Sequence, residues 1–153
     1  MIETPRIVQT SEQHYAFVHL TVPRDEIRQV MGPGIQEVYA AVAAQGITPS
    51  GPWFTHHLKR PGTTFDFEIC VPVEKPIQEA GQVEPGVWPS IRVAQTVYHG
   101  DYSGLPGAWG EFEAWIEAQG LREARDLWER YVVNPDSAKN SADWRTELNR
   151  PLL

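Results

Sequence analysis

Cysteine is almost absent. Cys70 is the only one in 153 residues, so no intramolecular disulfide can form. Basic residues are also in deficit, with 13 Lys and Arg against 20 Asp and Glu and a formal net charge of -7. The chain lacks the basic footprint of a general nucleic-acid binder, and its charge is compatible with cationic ligands. No stretch approaches the roughly 20 apolar residues that span a bilayer. Met1-Ile2-Glu3-Thr4-Pro5 has neither the basic start nor the apolar middle of a secretory signal. Metal-ligand spacing is missing too. His56 and His57 are adjacent, so on a strand they point to opposite faces. Gly32-Pro33-Gly34 and Gly104-Leu105-Pro106-Gly107 lack the spacing of a phosphate loop. No helix-turn-helix is visible. The expectation is a soluble, cytoplasmic protein with no metal, no cofactor, no membrane contact and no direct nucleic-acid partner.

What is present is aromatic and duplicated. Six Trp and five Tyr accompany a composition of 41% hydrophobic and 22% charged residues, that of one globular domain with a substantial core. Ala44-Gln45-Gly46-Ile47 returns 74 residues later as Ala118-Gln119-Gly120-Leu121. At the same offset Ile35, Val38 and Val42 become Trp109, Phe112 and Ile116, and His57 and Pro61 become Tyr131 and Pro135. After a slip of five residues, Glu68 and Pro72 become Glu147 and Pro151. A repeat of this size implies one domain with pseudo-twofold symmetry. Each copy sets a glutamate inside an otherwise apolar strand, which is costly unless something uses it.

Alternation and punctuation predict strands over Tyr15–Val22, Trp53–Lys59 and Phe65–Val73, with a helix over Arg24–Ala44 that Gly32-Pro33-Gly34 could interrupt. Strands over Ser90–Tyr98, Leu127–Val133 and Trp144–Arg150 and a helix over Leu105–Gln119 repeat the order. Thr4–Val8 could pair at an edge. The fold class is α+β: two strand–helix–strand–strand repeats over about 5–73 and 88–153, joined by a linker over about 74–87, all within one domain of residues 1–153. The sheet is antiparallel, with both helices on one face and a ligand cleft on the other.

Alternation also sorts side chains onto two faces. The more apolar set, including Val18, Leu20, Phe54, Leu58, Phe67, Ile69, Val93, Val97, Trp128, Val132 and Leu148, is assigned to the helices. The other face then carries Tyr15, Phe17, His19, Trp53, Thr55, His57, Asp66, Glu68, Cys70, Arg92, Thr96, Tyr98, Glu129, Tyr131, Arg145, Glu147 and Asn149. Its mixture of rings and acids suits a ligand cleft. Tyr131 and Glu147 share a predicted facing on the last hairpin. They fit a cation site, with rings adding cation–π attraction, and equally a plain tyrosine–glutamate hydrogen bond. His57 and Glu68 hold the matching places in the first repeat, with the histidine satisfied by the carboxylate. The candidate ligand-binding residues are Glu147, Tyr131, His57, Glu68, Trp53, Tyr98, Tyr15 and Phe17. Trp109, Phe112 and Ile116 read as a core-packing stripe.

Four stretches resemble the GyrI-like small-molecule-binding domain, the effector domain of AraC-type and MerR-type regulators. They are Phe65–Val73, Tyr98–Tyr102, Tyr131–Pro135 and Trp144–Leu152. The resemblance spans nearly the whole chain and implies two such repeats with a cleft between them. It implies that Glu147, at the motif position of the last strand's glutamate, contacts cationic lipophilic ligands, and that Tyr131 is an aromatic near that acid. Asp101 stands where the family commonly has proline.

Three functions follow. The first is a stand-alone module that senses or sequesters an amphipathic, cationic xenobiotic or metabolite. The second is hydrolysis of cyclopropane-bearing alkylating natural products, as in a subgroup of the family, with Glu147 activating water and Tyr131 assisting the leaving oxygen. The third is a protein-interaction module, such as a gyrase modulator, whose aromatic face meets a partner. A monomer or weak dimer is expected.

Overall fold

The computed structural model describes residues 1–153. In chain order it forms β1 (Arg6–Gln9), β2 (Gln13–Pro23), α1 (Ile27–Ala44), β3 (Phe54–His57), β4 (Thr64–Pro72), β5 (Glu84–Trp88), β6 (Arg92–His99), α2 (Leu105–Ala118), β7 (Leu127–Val133) and β8 (Arg145–Pro151). Two compact units result, one from 11–90 and one from 1–10 with 91–153. Each holds four antiparallel strands and one helix, in the orders β5-β2-β4-β3 and β1-β6-β8-β7. This is the α+β architecture that the repeats predict. The units are cut differently from the sequence repeats. The first strand, β1, pairs with β6, and the expected linker ends in a strand, β5, that pairs with β2.

The repeated Ala-Gln-Gly-Ile/Leu has a physical reason: it ends both helices in the same way. Gly46 and Gly120 take φ of 68° and 72°, a conformation that costs glycine nothing. Gly46 N–H donates to Ala43 O and Ile47 N–H to Val42 O; Gly120 N–H donates to Glu117 O and Leu121 N–H to Ile116 O. These paired bonds close the last helical carbonyls, and the apolar residue after the glycine tucks into the core.

In the 11–90 unit, α1 packs on Ala16, Val18, Phe67, Ile69 and Val71 through Val38 and Val42. Pro33 does not break the helix, which is continuous from Ile27 to Ala44. An internal proline costs about 3 kcal/mol. Each fully buried valine returns about 1.5–3 kcal/mol, so Val38 and Val42 together are enough to offset it. Gly34 lets the helix lie close, since a Cβ there would meet Ile69 Cδ1 at 2.5 Å.

In the other unit, α2 buries Ala108, Trp109, Phe112 and Ile116 on Ala94, Tyr98, Leu127 and Leu148. The expected facing holds for β2, β4 and β8. It is reversed in β3, β6 and β7. Thr55 and His57 oppose Ile69 and Phe67 and therefore look toward α1. Thr96 and Tyr98 oppose Leu148 and Thr146, and Glu129 and Tyr131 oppose the same two residues, so all look toward α2. Apolarity misassigned these strands because Phe54, Val93 and Trp128 are buried while facing away from the helix. No helix is long and apolar enough to cross a membrane.

Candidate functional site

On the α2 side of β7, Glu129 lies buried between an indole and a phenol. Trp109, on the buried stripe of α2, donates its Nε1–H to Oε2 at 2.7 Å. Tyr131, two residues along β7 and so on the same face, donates its hydroxyl to Oε1 at 2.7 Å. Glu129 is 7% exposed, so these charge-assisted bonds offset part of a large desolvation cost.

The aromatic wall continues outward. The Tyr102 ring meets Tyr131 edge-on at 5.7 Å and lies 5.1 Å from Trp144. Trp144 is pinned by its Nε1–H to Ala138 O at 3.0 Å. Tyr102 opens a short 3-10 turn capped by Asp101, whose carboxylate accepts from Ser103 N–H and hydroxyl. Asp101, the departure from the family's proline, thus serves as the cap. Burial pushes the Tyr102 phenol up to about 12, with the Glu129 and Asp136 carboxylates adding to it.

The matching strand of the other unit is less charged. Thr55 and His57 stand 74 residues before Glu129 and Tyr131. Thr55 Oγ1 and His57 Nε2 are 3.2 Å apart. The imidazole stacks on Phe67 at 5.4 Å.

The faces away from the helices hold the two glutamates that the sequence singles out. Glu68 Oε1 lies 3.0 Å from His56 Nδ1 and accepts the Tyr15 hydroxyl at 3.2 Å. Glu147 Oε1 lies 3.6 Å from Arg130 Nη1 and accepts from Asn149 Nδ2 at 3.0 Å. His56 and Arg130 are 74 residues apart, so the duplication keeps a carboxylate with a basic partner at this place.

Tyr131 and Glu147 are therefore not a pair. Arg130 opposes Glu147 and Tyr131 opposes Thr146, which sets Tyr131 and Glu147 on opposite faces. His57 and Glu68 are separated in the same way, and His56 takes the carboxylate. Tyr15 and Phe17 are in ring contact at 5.7 Å beside Glu68. Trp53 packs against the α1 core. Tyr98 is a buried anchor whose hydroxyl donates to Asp101 O at 2.8 Å. Cys70 is fully enclosed, and burial, with Glu68 adding, pushes its thiol well up. Glu129, Trp109, Tyr102 and Trp144 were not among the expected ligand residues. The signal for Glu129 was its i, i+2 spacing from Tyr131.

A model of the GyrI-like small molecule binding domain matches residues 3–152. No curated protein matches the chain. Among solved structures, EcmrR bound to DNA superposes with a TM-score of 0.86 at 23% identity; the match covers 97% of this chain and 57% of EcmrR. The C-terminal domain of EcmrR superposes with a TM-score of 0.86 at 22% identity, covering 98% of this chain and 97% of that domain. A hydrolase from Listeria innocua gives 0.69 at 15% identity, over 97% of this chain and 91% of the other. SAV2435 bound to tetraphenylphosphonium gives 0.65 at 12% identity, over 99% and 94%. At these identities the likeness is one of fold. The match over residues 3–152 establishes that this chain belongs to the family of GyrI-like small molecule binding domains.

Proposed function

We propose that the protein binds a lipophilic organic cation, with the Glu129 carboxylate facing the charge and Tyr102, Tyr131 and Trp144 receiving the apolar body. The observation that carries this reading is a buried carboxylate held by two neutral donors, Trp109 N–H and Tyr131 O–H, beside a wall of rings. A cation that reaches this carboxylate gains Coulomb attraction in a setting of lowered dielectric. Ring faces add about 0.5–2 kcal/mol by cation–π attraction. The tetraphenylphosphonium complex of SAV2435, a protein of the same fold, supports this ligand class. Sensing or sequestration of such a compound is the role that follows.

The test is calorimetric titration with tetraphenylphosphonium and with neutral triphenylphosphine oxide, followed by mass spectrometry of the ligand. Saturable binding of the cation alone, lost in Glu129→Gln, is the expected result. Equal binding of both compounds, or full retention in Glu129→Gln, sinks the reading. The Glu129–Tyr131 hydrogen bond also suits acid–base work on a strained electrophile. A cyclopropane alkylator that gains the mass of water only with active protein would show it.

A further inference from the structure

We propose that Arg150 is a positioning residue that clamps the Trp109 indole onto Glu129. This rests on the reading of Glu129 as the residue that meets the ligand's charge.

Arg150 follows Thr146 and Leu148 on the α2-facing side of β8 and is buried. Its guanidinium carbon sits 5.9 Å from the centre of the Trp109 ring. Three groups hold it there. Nη1 lies 3.1 Å from Glu113 Oε2, Nη2 lies 3.4 Å from Glu123 Oε1, and Nε–H donates to Ala124 O at 3.1 Å. Glu113 is one turn along α2 from Trp109, so the guanidinium is tied to the same helix face that presents the indole. The indole thus has two handles. Its ring face meets Arg150 and its N–H edge meets Glu129. A rotation that released the N–H would also break the contact with the planar cation. A cation over the ring also draws electron density from it, which makes the N–H a stronger donor.

A buried guanidinium with its carboxylates is expensive, and an apolar residue could fill the space. The duplication supplies that comparison within one chain. At the offset of 74, Glu129 corresponds to Thr55 and Trp109 to Ile35; at the later offset of 79, Arg150 corresponds to Val71. The unit without the carboxylate therefore has neither the indole nor the guanidinium, and Val71 is fully buried in its core. Carboxylate, indole and guanidinium are present together in one unit and replaced together in the other.

The test is a double-mutant cycle on tetraphenylphosphonium affinity with wild type, Arg150→Lys, Trp109→Phe and the double variant. Lysine keeps the charge and loses the planar fork. Arg150→Lys should weaken binding about three- to thirtyfold in the wild-type background and add little to Trp109→Phe. Equal weakening in both backgrounds, as a general loss of packing would give, overturns the proposal. A second readout needs no ligand: the indole N–H resonance of Trp109, assigned by its loss in Trp109→Phe. It should move toward that of a free indole in Arg150→Lys and in Glu129→Gln. An unmoved resonance in Arg150→Lys overturns the proposal. If wild type binds no tetraphenylphosphonium, the cation reading falls and the indole resonance still decides the role of Arg150. If Arg150→Lys does not fold, Glu113→Gln frees one side of the guanidinium and carries the same readout.

Discussion

Arg130 faces Glu147 across β7 and β8 at 3.6 Å, and the next residue, Tyr131, faces Thr146. One step along a strand separates the two most conspicuous side chains of this hairpin onto opposite faces. Glu147→Gln is therefore expected to change cation affinity by less than about twofold, since an ion pair with a half-exposed arginine contributes little. Glu129→Gln should weaken it about ten- to hundredfold. Calorimetry on the two variants checks this, and the reverse order would return the ligand's charge to Glu147.

Tyr102 gives an alkaline signature. Its phenol is pushed up to about 12 by burial and by the charges of Glu129 and Asp136, against about 10 in an unfolded chain. The protonated form is favoured on folding, so its contribution is fully present below pH about 10 and is lost as pH rises through about 12. Tyr102→Phe should unfold less steeply over that window than wild type. Ultraviolet titration of the tyrosinates should show one fewer late-ionising group.

The parts of the fold that the sequence discloses are those where a single residue type satisfies the physics. Gly46 and Gly120 mark helix ends because a left-handed residue is needed there. Leu127–Val133 is visible because its strand has the expected length and composition. Facing was harder to read. Glu68 and Glu147 stand out as acids within apolar runs, yet each lies beside a basic partner away from the helix. Glu129, between Trp128 and Arg130, draws less notice although it is the acid beside α2. Sorting by apolarity assumes one dry face, and Trp128 and Phe54 are buried on the other. β5 hides behind Pro85 and Gly86, which read as linker. Proline is tolerated at a sheet edge, and Gly86 is needed because a Cβ would strike the Tyr15 ring at 2.6 Å.

Acid should act through Asp66. Its carboxylate bonds His19 Nε2 at 2.6 Å and accepts from Thr21 Oγ1 at 3.3 Å. The bond to His19 is the chief cause that holds its pKa below the usual range, against the opposing effect of burial, with the charges of His19 and Lys59 and the Thr21 bond helping. A depressed folded pKa contributes stability above the unfolded value of about 3.9, lost as pH falls through the folded one. Asp66→Asn should lower stability near neutrality and flatten the dependence below pH about 4. Urea unfolding at several pH values measures both, and an unchanged acid slope would remove Asp66 from the account.

The twin helix ends predict a matched pair of effects. Gly46 and Gly120 both adopt positive φ, and a Cβ at either meets nothing within 4 Å. Crowding is therefore absent, and alanine should pay only for the left-handed backbone, about 1 kcal/mol. Gly46→Ala and Gly120→Ala should each lower unfolding free energy by about that amount in urea titrations. Cation affinity should be unchanged, because a Cβ added at either glycine meets no ring within 4 Å. A much larger loss at one site only would mean that its helix end does more than close carbonyls, since the paired hydrogen bonds at both ends are the same.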